Sequence, residues 1–269
     1  MDYLRLTSKE NNTIKLCRSL QQRKHREKQH LFLIEGLRNG WEALQSAWPL
    51  QYLLVDEKKA VQPELQRFLS AAEQRVKKIF LVSAPIFAGI TDTQESQGIL
   101  LLAQWRQQDT IAFFKQAAGK DVAILSGLQD PGNLGGILRT AWAAGLGGVI
   151  LTDHTVDLYN PKVVRAAMGA LYHLPVIALA NEQVYSELKQ RAYQILVADA
   201  GGKPVQHCLT EDTQAIAWVL GNEGNGPSDF WRQQRDETVS IPMAAEVESL
   251  NVGVAAGILF YAKLWQKKS

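Results

Sequence analysis

Residues 220–226 read Leu220-Gly221-Asn222-Glu223-Gly224-Asn225-Gly226 and follow directly on an apolar run. A second segment near the C-terminus reads Ile241-Pro242-Met243, then a polar turn, then Ser249-Leu250-Asn251-Val252 and a mostly small and apolar helix. Both place a glycine-rich or polar turn at the end of a predicted buried strand. Because glycine has no Cβ, backbone N–H and C=O groups in such a turn can approach a ligand closely. The alternative is a pair of ordinary strand-to-helix turns in an α/β core.

A third segment has the same character. It follows the strand-like residues 122–125, opens a helix and reads Leu128-Gln129-Asp130-Pro131-Gly132-Asn133-Leu134-Gly135-Gly136-Ile137-Leu138-Arg139-Thr140-Ala141. In order, spacing and chemistry the three segments resemble motifs 1, 2 and 3 of the SpoU (TrmH-type) RNA 2′-O-ribose methyltransferases of the SPOUT superfamily. Residues 159–170 also look like the family's stretch after motif 1. Two positions depart from the family pattern, Ala245 for the usual Gly and Gly253 for the usual Ser.

The alternation of strand-like and helix-like segments predicts an α/β protein with a mainly parallel sheet in its second half. We expect a small α/β domain in residues 1–106, a linker in 107–120 and a second domain in 121–269. The resemblance implies that the first is an L30e-like RNA substrate-binding domain, because residues 32–36 and 90–99 look like that domain's opening and closing segments. It also implies a SPOUT methyltransferase domain with a deep trefoil knot, which no sequence pattern predicts by itself since true knots are nearly absent among folds.

The resemblance further implies a cofactor, S-adenosylmethionine, whose activated methyl group is transferred to a ribose 2′-hydroxyl. Alignment of donor and acceptor then supplies much of the catalysis. The residues that correspond to the cofactor-binding positions are Ala198, Leu220, Gly221, Asn222, Ile241, Met243, Ser249 and Leu250. The polar residues that correspond to the catalytic set are Asn133, Arg139, Glu223, Ser249 and Asn251.

Arg139 is the residue from this set with the clearest chemistry. A guanidinium has a pKa above about 12 and is effectively never deprotonated. We therefore expect Arg139 to bind a substrate phosphate and stabilise the forming alkoxide, while a phosphate oxygen or Glu223 takes the proton. Plainer roles are open for the others: Glu223 could hold its own turn, Asn133 and Asn251 could be turn-fixing amides, and Ser249 could be the N-cap of the last helix.

The first thirty residues are strongly basic. Eight basic residues against three acidic ones leave a local net charge of +5. Residues 11–28 are predicted to form one helix with a buried stripe at Ile14, Cys17 and Leu20. Its basic face could be a solubilising surface or an RNA-binding one, because phosphate contacts supply most non-specific nucleic-acid affinity. With the methyltransferase motifs present, RNA contact is the better interpretation, and the predicted RNA-binding residues are Lys9, Lys15, Arg23, Lys24, Arg26, Arg139 and Arg165.

Composition excludes several other classes. Cys17 and Cys208 lie far apart, which argues against a disulfide framework, and the five histidines are scattered, so no metal site is expected. No long apolar run or signal-like N-terminus occurs, and we expect a cytoplasmic protein without membrane spans. No G-x-G-x-x-G or P-loop pattern follows a first strand. Small residues on the last helix (Ala255, Ala256, Gly257 and Ala262) permit close helix packing, and the resemblance implies a homodimer, although the sequence alone permits a monomer.

The leading hypothesis for function is therefore 2′-O-ribose methylation of RNA. The type of N-terminal domain favours ribosomal RNA over transfer RNA. Two rival hypotheses stay open: a catalytically silent RNA-binding factor for ribosome assembly, and a SPOUT enzyme that methylates a base. The presence of Asn133, Arg139, Glu223 and Ser249 argues against a silent RNA-binding factor. Arg139 together with residues 249–252 argues against a base methyltransferase.

Overall fold

The computed structural model describes residues 3–152, 154–209 and 214–266. The chain divides into two compact units, one formed by Met1–Arg106 with Asp157–Tyr172 and the other by Gln107–Val156 with His173–Ser269. No helix in the described ranges is long and apolar enough to cross a membrane.

Helices and strands alternate along both units. The strands are β1 Leu4–Leu6, β2 Leu31–Glu35, β3 Leu50–Asp56, β4 Lys78–Val82, β5 Ile99–Gln104, β6 Val122–Leu125, β7 Gly148–Leu151, β8 Val176–Ala178, β9 Gln194–Pro204, β10 Ile216–Leu220 and β11 Glu237–Ser240. The helices are α1 Asn12–Ser19, α2 Arg23–Gln29, α3 Leu37–Gln45, α4 Pro63–Ala72, α5 Ala84–Ala88, α6 Thr110–Gln116, α7 Pro131–Ala143, α8 Pro161–Ala167, α9 Ala170–His173, α10 Asn181–Gln190, α11 Asp229–Gln234 and α12 Val252–Gln266.

The second unit contains the parallel sheet that the sequence predicts. Its strand order is β11-β9-β10-β6-β7-β8, and every neighbouring pair is parallel. Strands β6, β7 and β10 are buried along their whole length, as expected for a sheet covered on both faces. The predicted α/β fold with a mainly parallel sheet is confirmed.

The first unit has a mixed sheet of order β1-β4-β3-β5-β2. Strands β1, β4 and β3 are parallel, whereas β5 is antiparallel to both of its neighbours, β3 and β2. Residues Ile14, Cys17 and Leu20 are fully buried in the core beneath this sheet, as their spacing predicts.

The basic N-terminal segment is two helices rather than the single helix predicted over residues 11–28. The first helix, α1, ends at Leu20, and α2 begins at Arg23. The reason lies in the side chain of Arg26, whose Nη1 donates hydrogen bonds to the carbonyl oxygens of Leu20 (2.8 Å) and Gln21 (2.9 Å). A cation that binds the free carbonyls at the end of α1 stabilises that end and stops the helix there.

Arg26 is thus buried, which corrects its predicted place on a solvated basic face. It is 2% exposed, and its Nη2 lies 2.6 Å from Oδ2 of Asp157. Its Nε donates to the same oxygen at 2.8 Å. With every nitrogen of the guanidinium bonded inside the protein, Arg26 stabilises the first unit instead of contacting RNA.

Residues 157–172 pack in the first unit, although they follow motif 1 and the domain prediction places them in the second. Asn39 connects them to α3: its Nδ2 donates to the carbonyl of Val164 at 3.1 Å, and its Oδ1 accepts from the hydroxyl of Tyr172 at 3.0 Å. Tyr159 stacks on Trp105 with ring centroids 4.8 Å apart. These long-range contacts have no local sequence signal.

The predicted linker, residues 107–120, contains helix α6. Asp109 caps this helix by accepting the backbone N–H of Ala112 at 2.9 Å. Phe113 and Phe114 are buried in the hydrophobic core of the second unit, so the segment is an integral part of that core.

Helix α12 is fixed near its C-terminal end by a buried ion pair. The Nζ of Lys263 lies 2.7 Å from Oδ1 of Asp121, just before β6, and donates to the carbonyl of Gln214 at 2.8 Å. The Asp121 carboxylate also accepts from the N–H of Ile216 and the indole of Trp218. Because β6 and β10 both start here, the end of α12 is tied to the amino edge of the sheet.

We predict that Arg26→Met destabilises the first unit by about 3–5 kcal/mol, because it leaves Asp157 buried without its counter-charge. Urea denaturation measures this change. Arg23→Met is the matched control, since Arg23 is exposed and pairs only with Glu27 one turn away, and it should cost at most about 1 kcal/mol. Equal stability of the two variants would contradict a structural role for Arg26.

Candidate active site

A cleft of about 390 Å³ opens at the carboxyl ends of β9, β10 and β11. Ligands of open parallel sheets bind at this edge, outside the ends of the strands. The cleft is bounded by the three strand ends, the loop after β10, the chain before α12 and one side of α12. Its lining residues are Ala198, Asp199, Ala200, residues 220–227, Arg232, residues 239–241, Met243, residues 248–250, Val252, Ala255 and Leu259.

All eight predicted cofactor-binding residues line this cleft. Three strand ends and the segment before α12 bring them together: Ala198, Leu220, Gly221, Asn222, Ile241, Met243, Ser249 and Leu250. They were predicted from their correspondence to the family's cofactor-binding positions, and the sheet brings them together at one edge.

The loop after β10 is a closed turn. Asn222 and Gly226 exchange backbone hydrogen bonds of 2.9 Å, and Oδ1 of Asn222 accepts from the N–H groups of Gly224 and Asn225. A Cβ on Gly221 would lie 2.2 Å from the backbone of Gly226 and Pro227. Gly221 is therefore required by the turn itself, before any ligand is considered.

Glu223 connects this turn to the start of α7. Its carboxylate accepts from the backbone N–H groups of Gln129 and Asp130, both at 3.2 Å, and from Nδ2 of Asn133 at 3.1 Å. Asp130 caps α7 by accepting the N–H of Asn133 at 2.7 Å, and Pro131 occupies the first turn. Glu223 thus binds the neighbouring motif rather than its own turn.

These bonds keep Glu223 ionised. Partial burial raises its pKa, but hydrogen bonds from Asn133 and from backbone N–H groups outweigh burial, so that the pKa lies below its ordinary value of 4.5. A carboxylate stabilised in this way is a poor proton acceptor near neutral pH. Both Glu223 oxygens already accept hydrogen bonds, so Glu223 must weaken or give up one of these when it accepts a proton.

Asn133 and Asn251 extend the network to the last helix. Nδ2 of Asn251 donates to Oδ1 of Asn133 at 3.0 Å, and Oδ1 of Asn251 accepts from the N–H groups of Gly253 (2.9 Å) and Val254 (3.3 Å). Asn251 is consequently the N-cap of α12, and the alternative that Ser249 caps this helix is wrong. Ser249 lies two residues earlier, exposed in the cleft wall.

Arg139 is not brought into the cleft of its own chain. It lies six residues after Asn133 on α7, about 9 Å further along the helix axis and on a different face. Its side chain is exposed, and none of the described residues forms a hydrogen bond or ion pair with it. Asn133 and Asn251 stand beside the cleft through their bonds to Glu223, but neither they nor Arg139 are among the described residues that line it.

The predicted RNA-binding residues of the first unit have different surroundings. Lys9, Lys15, Arg23 and Lys24 are exposed, in contrast to Arg26. Arg165 is half-buried and bound to carboxylates: its Nη2 lies 2.6 Å from Oδ2 of Asp92, and its Nη1 lies 3.9 Å from the buried carboxylate of Glu35. Its charge is already compensated inside the unit.

Sequence reasoning missed an ion pair in the cleft wall. Asp199 and Arg232 lie 2.9 Å apart, and Nε of Arg232 donates to the carbonyl of Pro227 at 3.0 Å. Asp199 is adjacent in β9 to the predicted residue Ala198, so its place in the sequence was a usable signal. Arg232 comes from α11 and has no comparable signal. No group of three or more His, Cys, Asp or Glu side chains in the described ranges could hold a metal ion.

Comparison with known proteins gives two family matches. Residues 120–261 match the SpoU rRNA Methylase family, and residues 11–101 match the MRM3-like substrate binding domain. One curated relative is the 23S rRNA (guanosine(2553)-2′-O)-methyltransferase RlmP of Bacillus subtilis, which is 32% identical over 95% of this chain and 97% of its own length.

Solved structures agree with these matches. The SpoU methyltransferase AviRb of Streptomyces viridochromogenes, in complex with AdoMet, is 26% identical with a TM-score of 0.87 over 97% of this chain and 99% of that one. An AdoMet-bound rRNA methyltransferase of Sinorhizobium meliloti is also 26% identical, with a TM-score of 0.84 over 96% of both chains. Since the SpoU match covers more than half of the 269 residues, the chain belongs to the SpoU rRNA methylase family.

Proposed function

We propose that this protein transfers a methyl group from S-adenosylmethionine to a ribose 2′-hydroxyl of RNA, most specifically of ribosomal RNA. The observation that carries the proposal is the chain of hydrogen bonds from Glu223 through Asn133 to Asn251, which joins the three motif segments beside one cleft. The activities named for the relatives, rRNA and 23S rRNA 2′-O-methyltransferases, support it.

The cleft suits the cofactor in size and chemistry. Its volume lies in the range of small-molecule sites. Leu220, Ile241 and Leu259 provide apolar surface for an adenine ring, and the turn at Gly221 exposes backbone groups. Asp199, Glu223 and Glu248 also line the cleft. Because Arg232 compensates the charge of Asp199, Glu223 and Glu248 supply the negative charge that favours a cationic ligand. S-adenosylmethionine supplies the activated methyl group, and its sulfonium carries such a positive charge.

Each polar residue then has a distinct role. Glu223, Asn133 and Asn251 position the cofactor loop and the start of α12, while Ser249 lies in the cleft wall. Arg139 binds the substrate phosphate and stabilises negative charge on the attacking oxygen, because a guanidinium remains protonated. As the methyl group leaves the sulfonium and S-adenosylhomocysteine is formed, the proton of the 2′-hydroxyl passes to one of the two acceptors that the sequence offers, a phosphate oxygen of the substrate or Glu223.

A second copy of the chain completes the site in this proposal. Arg139 lies away from its own cleft, so a homodimer offers a way to bring it to the cleft of the partner. The surface for association is an apolar stripe on α12 at helical spacing, with Val254 52% exposed, Trp265 62% exposed, and Ile258 and Tyr261 half-buried between them. The predicted small face of α12 is used partly within the chain, since Gly257 faces Thr140 of α7.

Family membership supports the remaining parts of the proposal. These are the trefoil knot in the second domain, the roles of the first unit as an RNA substrate-binding domain and of the second as a methyltransferase domain, and a cytoplasmic location. RNA capture is assigned to the exposed basic residues of the first unit, which include Lys9, Lys15, Arg23, Lys24 and Lys28.

The cofactor site can be tested by filling the cleft. Ala255→Leu adds bulk to a lining position on α12, and we expect the dissociation constant for S-adenosylmethionine to rise at least about tenfold, the effect of roughly 1.4 kcal/mol of steric cost. Isothermal calorimetry measures it. The control, Val61→Leu, enlarges a residue of the first unit that is 77% exposed and should leave affinity unchanged. Gly221 is unsuitable, since any side chain there collides with the loop itself. Unaltered affinity in Ala255→Leu would refute the site.

The catalytic assignment predicts that replacing Arg139 abolishes methylation but not cofactor binding. A strain that lacks the gene should lose 2′-O-methylation at one position of its RNA, mapped across total RNA, and wild-type protein but not Arg139→Ala should restore it. The cofactor affinity of the Arg139→Ala protein should stay within a few-fold of wild type. Arg139→Lys should recover little methylation activity, because an ammonium group cannot bind a phosphate through two parallel hydrogen bonds as a guanidinium does. Arg235→Ala, at an exposed position of the same unit, is the control.

Mixing Arg139→Ala with Ala255→Leu, at a cofactor concentration that leaves the Ala255→Leu cleft largely empty, should then restore up to about a quarter of wild-type transfer, since half of the random dimers are mixed and each has one intact site. No activity after subunit exchange would mean that Arg139 serves its own chain. If the deletion strain loses no methylation, the enzymatic proposal has no support and the catalytically silent assembly factor is favoured.

The RNA-binding surface predicts a salt effect. Reversing Lys24 and Lys28 to Glu should weaken binding of ribosomal RNA fragments and lower the log–log salt slope by roughly 0.7–0.9 per lost phosphate contact. The melting temperature and cofactor affinity should hardly change because both side chains are exposed. The control reverses two exposed lysines of the second unit, Lys115 and Lys120. If both double variants bind RNA like the wild type at every salt concentration, the N-terminal helices are a solubilising surface only.

A further inference from the structure

Strand β9 bulges out of the sheet at the edge of the cleft. Consecutive residues of β11 pair with Val197 and Lys203 of β9, so residues 198–202 lie outside this pairing. The return to the sheet is fixed at Gly202, where a Cβ would lie 2.7 Å from the backbone of β11. The carbonyl of Gly202 also accepts a hydrogen bond from the hydroxyl of Ser240 at 2.8 Å. The bulge is therefore held in one conformation beside the cleft.

Asp199 lies in this bulge, and both of its carboxylate oxygens have defined contacts. Its Oδ1 accepts from the N–H of Gly201 at 3.1 Å, and its Oδ2 lies 2.9 Å from Nη1 of Arg232. Among the described residues, one contact thus reaches each oxygen, whereas a carboxylate has about four acceptor positions. Asp199 lines the cleft, and its side chain is 24% exposed. It can therefore accept further hydrogen bonds from a ligand on both oxygens.

The ion pair determines which ligand group suits Asp199. Because Arg232 compensates its charge, the attraction of Asp199 for a cation is largely cancelled. A paired carboxylate still accepts strong hydrogen bonds from neutral O–H donors. A ribose carries two hydroxyls on adjacent carbons, which match one free acceptor position on each oxygen. In the dinucleotide sites of open α/β sheets, a carboxylate likewise binds a ribose hydroxyl.

The alternative is that Arg232 binds the carboxylate at the amino-acid end of the cofactor. A guanidinium binds a carboxylate best through a fork of two nitrogens. Nε of Arg232 already donates to the carbonyl of Pro227 at 3.0 Å, and Nη1 faces Asp199. Each fork of Arg232 therefore contains a nitrogen that is bonded inside the protein, which disfavours this alternative. These bonds instead hold Asp199 against the loop after β10.

We propose that Asp199, held in place by Arg232, accepts hydrogen bonds from the 2′- and 3′-hydroxyls of the cofactor ribose. This inference rests on the proposed function and narrows the ligand class of the cleft to nucleosides with an intact ribose diol. Asp199 is then a cofactor-binding residue, and Arg232 is a positioning residue that acts through it.

The test measures, by isothermal calorimetry on the full-length protein, the preference for S-adenosylhomocysteine over its 2′-deoxy and 3′-deoxy analogues. Wild type should bind each deoxy analogue about tenfold more weakly, because a hydrogen bond to a charged group is lost. Asp199→Ala should bind all three ligands within about threefold of one another. The control is Glu187→Ala, which removes a carboxylate of similar exposure, 22%, from an ion pair with Arg191 outside the cleft. It should keep the wild-type preference.

The positioning role of Arg232 has its own readout. Arg232→Met should reduce the preference to about threefold, because the carboxylate of Asp199 is no longer held toward the diol. Arg232→Lys should restore most of the preference, since an ammonium also supplies a counter-charge. A purely structural role of Arg232 would weaken the binding of every ligand equally and leave the preference unchanged.

An undiminished preference in Asp199→Ala would overturn the inference, as would an equal loss of affinity for all three ligands. A further ligand, 5′-methylthioadenosine, lacks the amino-acid end. If Arg232→Met cancels the advantage of S-adenosylhomocysteine over this ligand, the ion pair binds the amino-acid end and the inference is wrong. Methyl transfer by wild type to RNA from the deletion strain reports on the enzyme separately. Diol-dependent binding without any transfer removes the proposed reaction and keeps the inference, whereas transfer without a diol preference removes only the inference.

Discussion

The carboxylate of Glu223 is the interaction on which the rest of the second unit's site depends. It binds the start of α7 directly and, through Asn133, the N-cap of α12. Three separate chain segments are thereby fixed to one another at the carboxyl edge of the sheet. The hydrogen bonds that lower the pKa of Glu223 are the same ones that fix the segments, so its negative charge and the geometry of the cleft have a single origin.

What the sequence could predict came from local motifs. The motif resemblance named the eight cofactor-binding residues, and all of them line the cleft at the edge where the parallel strands converge. The break between α1 and α2 could not be predicted from the sequence. Arg26, whose side chain ends α1, is held in place by its ion pair with Asp157, 131 residues later in the chain. The same holds for residues 157–172, whose place in the first unit depends on Asn39. Charge along a sequence does not reveal which cation is buried.

The site residues show a similar division between chemistry and geometry. Asn133, Glu223 and Asn251 were predicted as polar site residues, and their mutual bonds show positioning to be their common task within the chain. Glycine is required at position 221 because any side chain would collide with the loop's own backbone. A sequence motif alone does not show whether such a glycine is needed by the loop or by the ligand. Arg139 belongs to the same motif as Asn133, yet helix geometry separates them, because six residues place two side chains on different faces.

Helix α12 is held at both ends, by the N-cap Asn251 at one edge of the sheet and by the Lys263–Asp121 pair at the other. The two partners of that pair are 142 residues apart, and the helix forms one wall of the cleft. During synthesis, then, strands β6 to β11 leave the ribosome before α12 does, so this wall of the cleft is the last to be made. Contacts of such long range slow folding. The cleft of this protein therefore forms late in folding, and cofactor binding can serve as a measure of complete folding.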